Sequence, residues 1–307
     1  MEETNLLVEV LLPATLLLIM FGMGMTLTPR DFIKLKDYPR AVVAGLVGQL
    51  LLLPAVGFLL AGVWGLAPAL AVGLVVMTAC PGGTTSNLVS FLARGDVPLS
   101  VTLTAVNSCI VVFTIPLYAG LAMDVFAGEA VDVPMPVAFV MAQVFMYTIA
   151  PISAGMLLRG LAPGLATRIG PAYDRFAALA FLFILIAILW DSRADILAMA
   201  ATVGGVTAAL AVIMSALGLA LGALMAVGPR QTITLGIEVG IQNTVLGMVV
   251  AGSVLDGMRG LEGSVMYMPS AVYGLLMFLP ALGIIAYGRR RFAPLVGARA
   301  PAQASAS

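Results

Sequence analysis

The stretch Ala79-Cys80-Pro81-Gly82-Gly83-Thr84-Thr85-Ser86-Asn87 decides how the chain is read. Apolar residues run into it from Leu66 and out of it from Leu88 to Ala93. Pro81 lacks an N–H and its ring clashes with the preceding turn, while Gly82 and Gly83 cost helix stability. A helix is predicted to stop here and restart. At membrane depth the freed backbone groups must face protein, water or a bound ion, because lipid cannot satisfy them. A broken apolar helix followed at once by Thr84, Thr85, Ser86 and Asn87 points to a binding site.

The composition sets that stretch in a membrane. The 307 residues are 61% hydrophobic and only 10% charged, against about 25% charge in a soluble domain. Mean hydropathy is +1.10, and several apolar runs exceed the roughly 20 residues that cross a bilayer. The fold class is therefore an all-α, polytopic membrane protein with little soluble mass. Net charge is zero, so nucleic acid is not an expected partner. The chain has no histidine, which excludes His-based metal sites, Ser-His triads and His proton relays. Cys80 and Cys109 both fall in apolar segments and read as packing residues rather than a disulfide. The acidic start, Met1-Glu2-Glu3-Thr4, lacks the basic region of a signal peptide, so no cleaved leader is expected.

Nine hydrophobic segments are predicted, at about 5–27, 39–62, 67–94, 97–121, 134–158, 171–190, 198–226, 230–254 and 262–288. Basic residues follow the odd-numbered segments: Arg30, Lys34, Lys36 and Arg40, then Arg94, then Arg159, Arg168 and Arg175, then Arg230, then Arg289, Arg290, Arg291 and Arg299. Only Arg193 and Arg259 fall on the other side, among Asp124, Glu129, Asp132, Asp191, Asp195, Asp256 and Glu262. The positive-inside rule then puts the N-terminus outside and the C-terminus in the cytoplasm, in an inner (plasma) membrane. The small and polar residues 293–307 read as a disordered cytoplasmic tail.

The eighth segment is similar in kind to the third. Its centre is Gly236-Ile237-Glu238-Val239-Gly240-Ile241-Gln242-Asn243-Thr244, and a second broken helix is expected there. The two segments are five apart, so they enter the membrane from opposite sides. Two interrupted helices of opposed direction are the trace of an inverted repeat with a binding site at their crossing. The same offset pairs the first segment with the sixth, the second with the seventh and the fourth with the ninth. The fifth lacks a partner, as it would in a ten-helix ancestor that lost its first helix.

Glu238 is the sharpest chemical signal. A carboxylate at bilayer depth costs several kcal/mol unless paired, and Lys or Arg occur in the predicted spans only near their ends. A bound cation or a proton must neutralise it; the plainer alternative is a protonated glutamate hydrogen-bonded in the bundle. Ser100 and Thr104 share one helix face, which Asn107 or Ser108 continues. Gln49 is isolated in the apolar second segment, and Ser86 and Asn87 open the second half of the third. Hydroxyl, amide, carboxylate and carbonyl oxygens suit a hard cation, although such residues also serve as interhelical hydrogen-bonding groups. The half-helices starting near Thr84 and Gln242 aim N–H groups and partial positive charge at the crossing, which suits an anionic substrate group.

At these residues the chain resembles the bile acid:sodium symporter family, from Phe21-Gly22-Met23-Gly24-Met25-Thr26-Leu27-Thr28-Pro29 onward. The most specific pieces are Cys80 to Asn87, Leu92-Ala93-Arg94-Gly95-Asp96, and Glu238 to Asn243. The resemblance implies a core domain, here 39–121 and 198–288, and a panel domain, here 5–27, 134–158 and 171–190, with two crossed discontinuous helices in the core. It implies one sodium held by Ser86, Asn87, Ser100, Thr104 and Glu238. A second would be held by Gln49, Glu238, Val239, Ile241 and Gln242, with Val239 and Ile241 giving backbone carbonyls. Bacterial relatives can carry a His-Asn pair on the last helix; the matching positions here are Met277 and Phe278, both apolar. Family substrates include bile acids, pantoate, pyruvate and other organic anions.

The expected activity is sodium-coupled symport of an organic anion by alternating access, with the anion against Thr84, Thr85 and Asn243 and no cofactor besides the coupling ion. An alternative is a metalloid oxyanion efflux carrier using Cys80 as a thiolate. A membrane-embedded enzyme is disfavoured by the absence of histidine, and a signalling receptor by the absence of an appended cytoplasmic domain.

Overall fold

The protein is described by a computed structural model over residues 7–128, 135–191 and 196–292; the acidic start and the 293–307 tail expected above lie outside those residues. Among the described residues every regular element is helical, and the only β pairing is one antiparallel bridge between Gly82 and Gln242. Six helices among the described residues are long and apolar enough to cross a membrane, so this is a multi-pass membrane protein.

In chain order, α1 is Leu12–Thr26, α2 is Pro39–Val63, and the third apolar segment is two helices, α3 (Pro68–Thr78) and α4 (Thr84–Leu92). Then come α5 (Val97–Ala122), α6 (Val137–Leu161), α7 (Pro163–Asp191) and α8 (Ile196–Leu224). The eighth segment is also split, into α9 (Pro229–Gly240) and α10 (Thr244–Val249), the latter running on as a π turn through Val254. The last is α11, Gly263–Arg291.

Proline shapes several of these elements. Pro39, Pro68 and Pro229 stand in the first turn of α2, α3 and α9, where the missing N–H costs nothing. Pro151 cannot donate to the carbonyl four residues back, and α6 is interrupted at Thr148. In α2, Pro54 likewise frees the carbonyl of Leu50. The Tyr118 hydroxyl from α5 donates to that carbonyl at 2.6 Å. The turn before Pro54, Gly48–Leu52, is a π turn closed by Leu53 N–H on Gly48 O, and it carries Gln49 inward.

One difference from the sequence reading has a local cause. The sixth segment begins at Pro163, not 171, because Pro171 is accommodated inside the helix; Arg168 is therefore helical, not in a loop. Asp31 accepts from the backbone N–H of Thr28 at 2.8 Å and its hydroxyl at 2.7 Å, shaping the short helix Pro29–Ile33.

Close packing rests on small residues, as it must where helices meet without a hydrophobic driving force. α1 crosses α6 so tightly that a Cβ on Gly24 would lie 2.2 Å from Ile152 O, and one on Gly155 2.2 Å from Phe21 O. Backbone oxygens on a packed helix cannot step aside. Gly155→Ala is therefore expected to cost about 1–3 kcal/mol, read as a lowered melting temperature in detergent. α8 meets α9 in the same way: a Cβ on Gly218 would lie 2.4 Å from Leu235 O. α1, α6 and α7 pack on one another, and α3, α4, α5, α9 and α10 gather around the two helix breaks.

Candidate functional site

The two breaks satisfy one another. After α3 the chain extends through Pro81 and Gly82 before Gly83 opens α4. After α9, Ile241 is extended and Asn243 opens α10. The N–H of Asn243 donates to Pro81 O at 2.8 Å, beside the Gly82–Gln242 bridge. Main-chain groups freed by one break thus find partners in the other, answering the requirement that membrane imposes on irregular backbone.

Glu238, two residues before the end of α9, is fully buried against this crossing. Its Oε1 accepts from the Ser86 hydroxyl of α4 at 2.6 Å, from the Ser100 hydroxyl of α5, and from Thr104 at 3.2 Å. Thr104 also reaches Oε2 at 3.0 Å. No Lys or Arg occurs in 41–63, 68–92, 97–122 or 231–254, so the helices that build the site supply hydroxyls but no countercharge. The carboxylate reaches across to the other break: a Cβ on Gly82 would lie 2.5 Å from Oε2 and 3.1 Å from Gln49 Nε2. Only glycine leaves that space.

Two amides cap the adjacent carbonyls. Gln49 Nε2 donates to Glu238 O at 2.7 Å. Gln242 Nε2 donates to Val239 O at 2.9 Å and, more weakly, to Glu238 O at 3.4 Å. Asn107 Nδ2 donates in turn to Gln49 Oε1. Three buried amide oxygens, Asn87 Oδ1, Asn107 Oδ1 and Gln242 Oε1, have no hydrogen-bond partner. All three are acceptors, and buried acceptors without a donor are costly.

A hard cation fits this arrangement. The donor set is oxygen throughout, one member is a carboxylate, and the unpartnered atoms are lone pairs rather than N–H groups. The hydroxyls can adapt as well. Ser86 can donate to Gly83 O at 2.7 Å and Thr104 to Ser100 O at 3.0 Å, which would turn their remaining lone pairs toward a cation. In the structure the amide N–H groups of Gln49 and Gln242 lie against the carbonyls where a cation's positive charge would otherwise stand.

Ser86, Ser100, Thr104, Glu238, Gln49, Gln242 and Val239 therefore converge as one cluster. Asn87 is on the same half-helix with its oxygen unpartnered, and it makes no hydrogen bond to the carboxylate. Ile241 sits in the second break with a buried side chain, its N–H on Ile237 O. Thr84 is half-buried and Thr85 exposed at the start of α4. Asn243 is nearly buried, and its Oδ1 accepts from Leu246 N–H at 3.0 Å, so that oxygen serves as the cap of α10. Ser108, the alternative to Asn107 on the α5 face, bonds back to Thr104 O and stays out of the cluster. Met277 is buried in the core and Phe278 is exposed.

Two contributors have little or no sequence signal. Tyr273 of α11 is fully buried and donates to Gly240 O at 2.8 Å, holding the carbonyl end of α9. The link from Asn107 to Gln49 depends on the π turn before Pro54, whose only trace is that proline.

The model of the Sodium Bile acid symporter family matches residues 13–199. A probable chloroplastic sodium/metabolite cotransporter of Oryza sativa is 32% identical over 272 residues, which is 84% of this chain; the chain spans 62% of that relative's length. An uncharacterized sodium-dependent transporter of Bacillus subtilis, YocS, is 30% identical over 76% of this chain and 71% of its own length. The ileal sodium/bile acid cotransporter of Oryctolagus cuniculus is 32% identical over 113 residues, 37% of this chain and 33% of its own. With a family model covering more than half its length, the chain belongs to the sodium bile acid symporter family.

Proposed function

We propose that the protein is a secondary active transporter that couples sodium to the movement of an organic anion by alternating access. The observation that carries this is a fully buried carboxylate, Glu238, surrounded by hydroxyl and amide groups at the contact of two broken helices. Sodium would supply the missing positive charge. Ser86, Asn87, Ser100, Thr104 and Glu238 form the first site, and Gln49, Glu238, Val239, Ile241 and Gln242 the second. The anion binds against Thr84, Thr85 and Asn243, where α4 and α10 begin and their first N–H groups favour negative charge. The names of the matched relatives, which print sodium/metabolite and sodium/bile acid cotransport, support the coupling and leave the anion's identity open.

In this reading nine spans form an inverted repeat with the N-terminus outside and the C-terminus in the cytoplasm of the plasma membrane. The helices of 39–121 and 198–288 are the core, and α1, α6 and α7, which pack on one another, are the panel against which it rocks. Two sodium ions with a monovalent anion carry one net charge inward, worth about 2.3 kcal/mol per 100 mV. The efflux alternative finds no support in Cys80: its thiol is buried and donates to Val76 O within its own helical turn.

The test has two steps. Purified protein is screened by thermal shift against carboxylates, with sodium and with choline; a ligand that stabilises only with sodium identifies the substrate class. Uptake of that ligand into proteoliposomes is then driven by an inward sodium gradient. Uptake indifferent to the gradient would rule out the coupling.

A further inference from the structure

A single backbone carbonyl dictates the facing of a chain of amides beside Glu238. Glu238 O can only accept, so the Gln49 atom against it must be nitrogen, as it is at 2.7 Å. Gln49 Oε1 then points away and needs a donor, which is Asn107 Nδ2. That choice leaves Asn107 Oδ1 without a partner although Asn107 is completely buried. Gln242 repeats the pattern: its nitrogen faces Val239 O and its oxygen is unpartnered.

The chain has a second self-consistent arrangement, with both amides reversed. Gln49 Oε1 would then face Glu238 O, and Gln49 Nε2 would donate to Asn107 Oδ1. Two carbonyl oxygens facing each other repel unless a cation lies between them. We propose, resting on the sodium reading above, that Asn107 is the positioning residue of the cation site. It donates to Gln49 Oε1 when the site is free and accepts from Gln49 Nε2 when a sodium ion turns the Gln49 oxygen inward. The unpartnered Asn107 oxygen is the receptor that makes the reversal possible. Asn107 touches the cation in neither arrangement.

Asn107→Leu and Asn107→Asp separate this role from simple packing. Each is close to asparagine in size; leucine offers no polar atom, and aspartate can accept from Gln49 Nε2 but cannot donate when ionised. Sodium-dependent thermal stabilisation of the purified protein, titrated against choline, reads the half-saturating sodium concentration. For Asn107→Leu it is expected to rise about tenfold or more, as when an outer partner of a metal ligand is removed. For Asn107→Asp it is expected to lie at or below the wild-type value, because an acceptor favours the reversed Gln49. A packing role predicts the opposite order, since a buried apolar group is tolerated better than a buried charge; that order, or two unchanged values, overturns the proposal. An infrared difference spectrum of wild type, sodium minus choline, gives a reading that does not need the aspartate variant. A side-chain amide carbonyl band should appear and be diminished in Asn107→Leu; an identical spectrum in the two proteins also overturns it. A wild-type protein that does not respond to sodium brings down both readings, whereas a responsive wild type with unaffected variants brings down this one alone.

Discussion

In the Glu238→Gln protein, sodium-driven uptake is expected to fall to the leak of protein-free vesicles, and sodium to lose its stabilising effect. Glutamine has nearly the volume of glutamate and keeps one oxygen for the hydroxyls of Ser86 and Ser100. The fold should therefore survive. What disappears is the only formal charge carried by the segments 41–63, 68–92, 97–122 and 231–254 that build the crossing. A cation placed there would be desolvated with no countercharge, a cost of several kcal/mol. Even about 3 kcal/mol weakens binding by roughly a hundredfold. The melting temperature without sodium should stay level or rise, because an unpaired buried carboxylate is itself unfavourable. Residual uptake that still follows the sodium gradient in this variant would contradict the proposed coupling.

Gly82→Ala is expected to be nearly as damaging by a different route. The added methyl would sit 2.5 Å from Glu238 Oε2 and 3.1 Å from Gln49 Nε2. Both are side-chain ends, so the clash can be relieved, but only by moving the carboxylate and the amide from the positions their partners fix. Folding should lose about 1–3 kcal/mol, while half-saturating sodium should rise by at least about tenfold, since a ligand displaced by an ångström no longer closes the shell. Sodium titration by thermal shift reads both quantities in one experiment. Wild-type sodium affinity in Gly82→Ala would mean that the carboxylate does not need the space beside Gly82.

The first break is legible from sequence because its causes are local: Pro81, Gly82 and Gly83 each disfavour helix. The second is harder. Gly236 and Gly240 draw attention to it, yet both lie inside α9. They are there to admit α8, since a Cβ on Gly236 would lie 2.7 Å from the Leu219 side chain and one on Gly240 2.1 Å from Ser215 Oγ. The interruption itself, Ile241 to Asn243, contains neither proline nor glycine and is held open by pairing with Pro81 and Gly82, a tertiary contact that no local pattern displays. Likewise, spacing alone puts Ser100 and Thr104 on one face, but it cannot say that the face meets Glu238. Nor does spacing show that Asn243 Oδ1 caps α10 by accepting from Leu246 N–H.

The seam between the two interrupted spans is made of main-chain atoms, Pro81 O with Asn243 N–H and Gly82 with Gln242. A seam of that kind uses no side-chain atom, so apart from Gly82, where only glycine leaves room, neighbouring residues can be exchanged without unfastening it. In the proposed alternating access it would also bind the halves into a single moving part, with α10 carried along by any shift of α4.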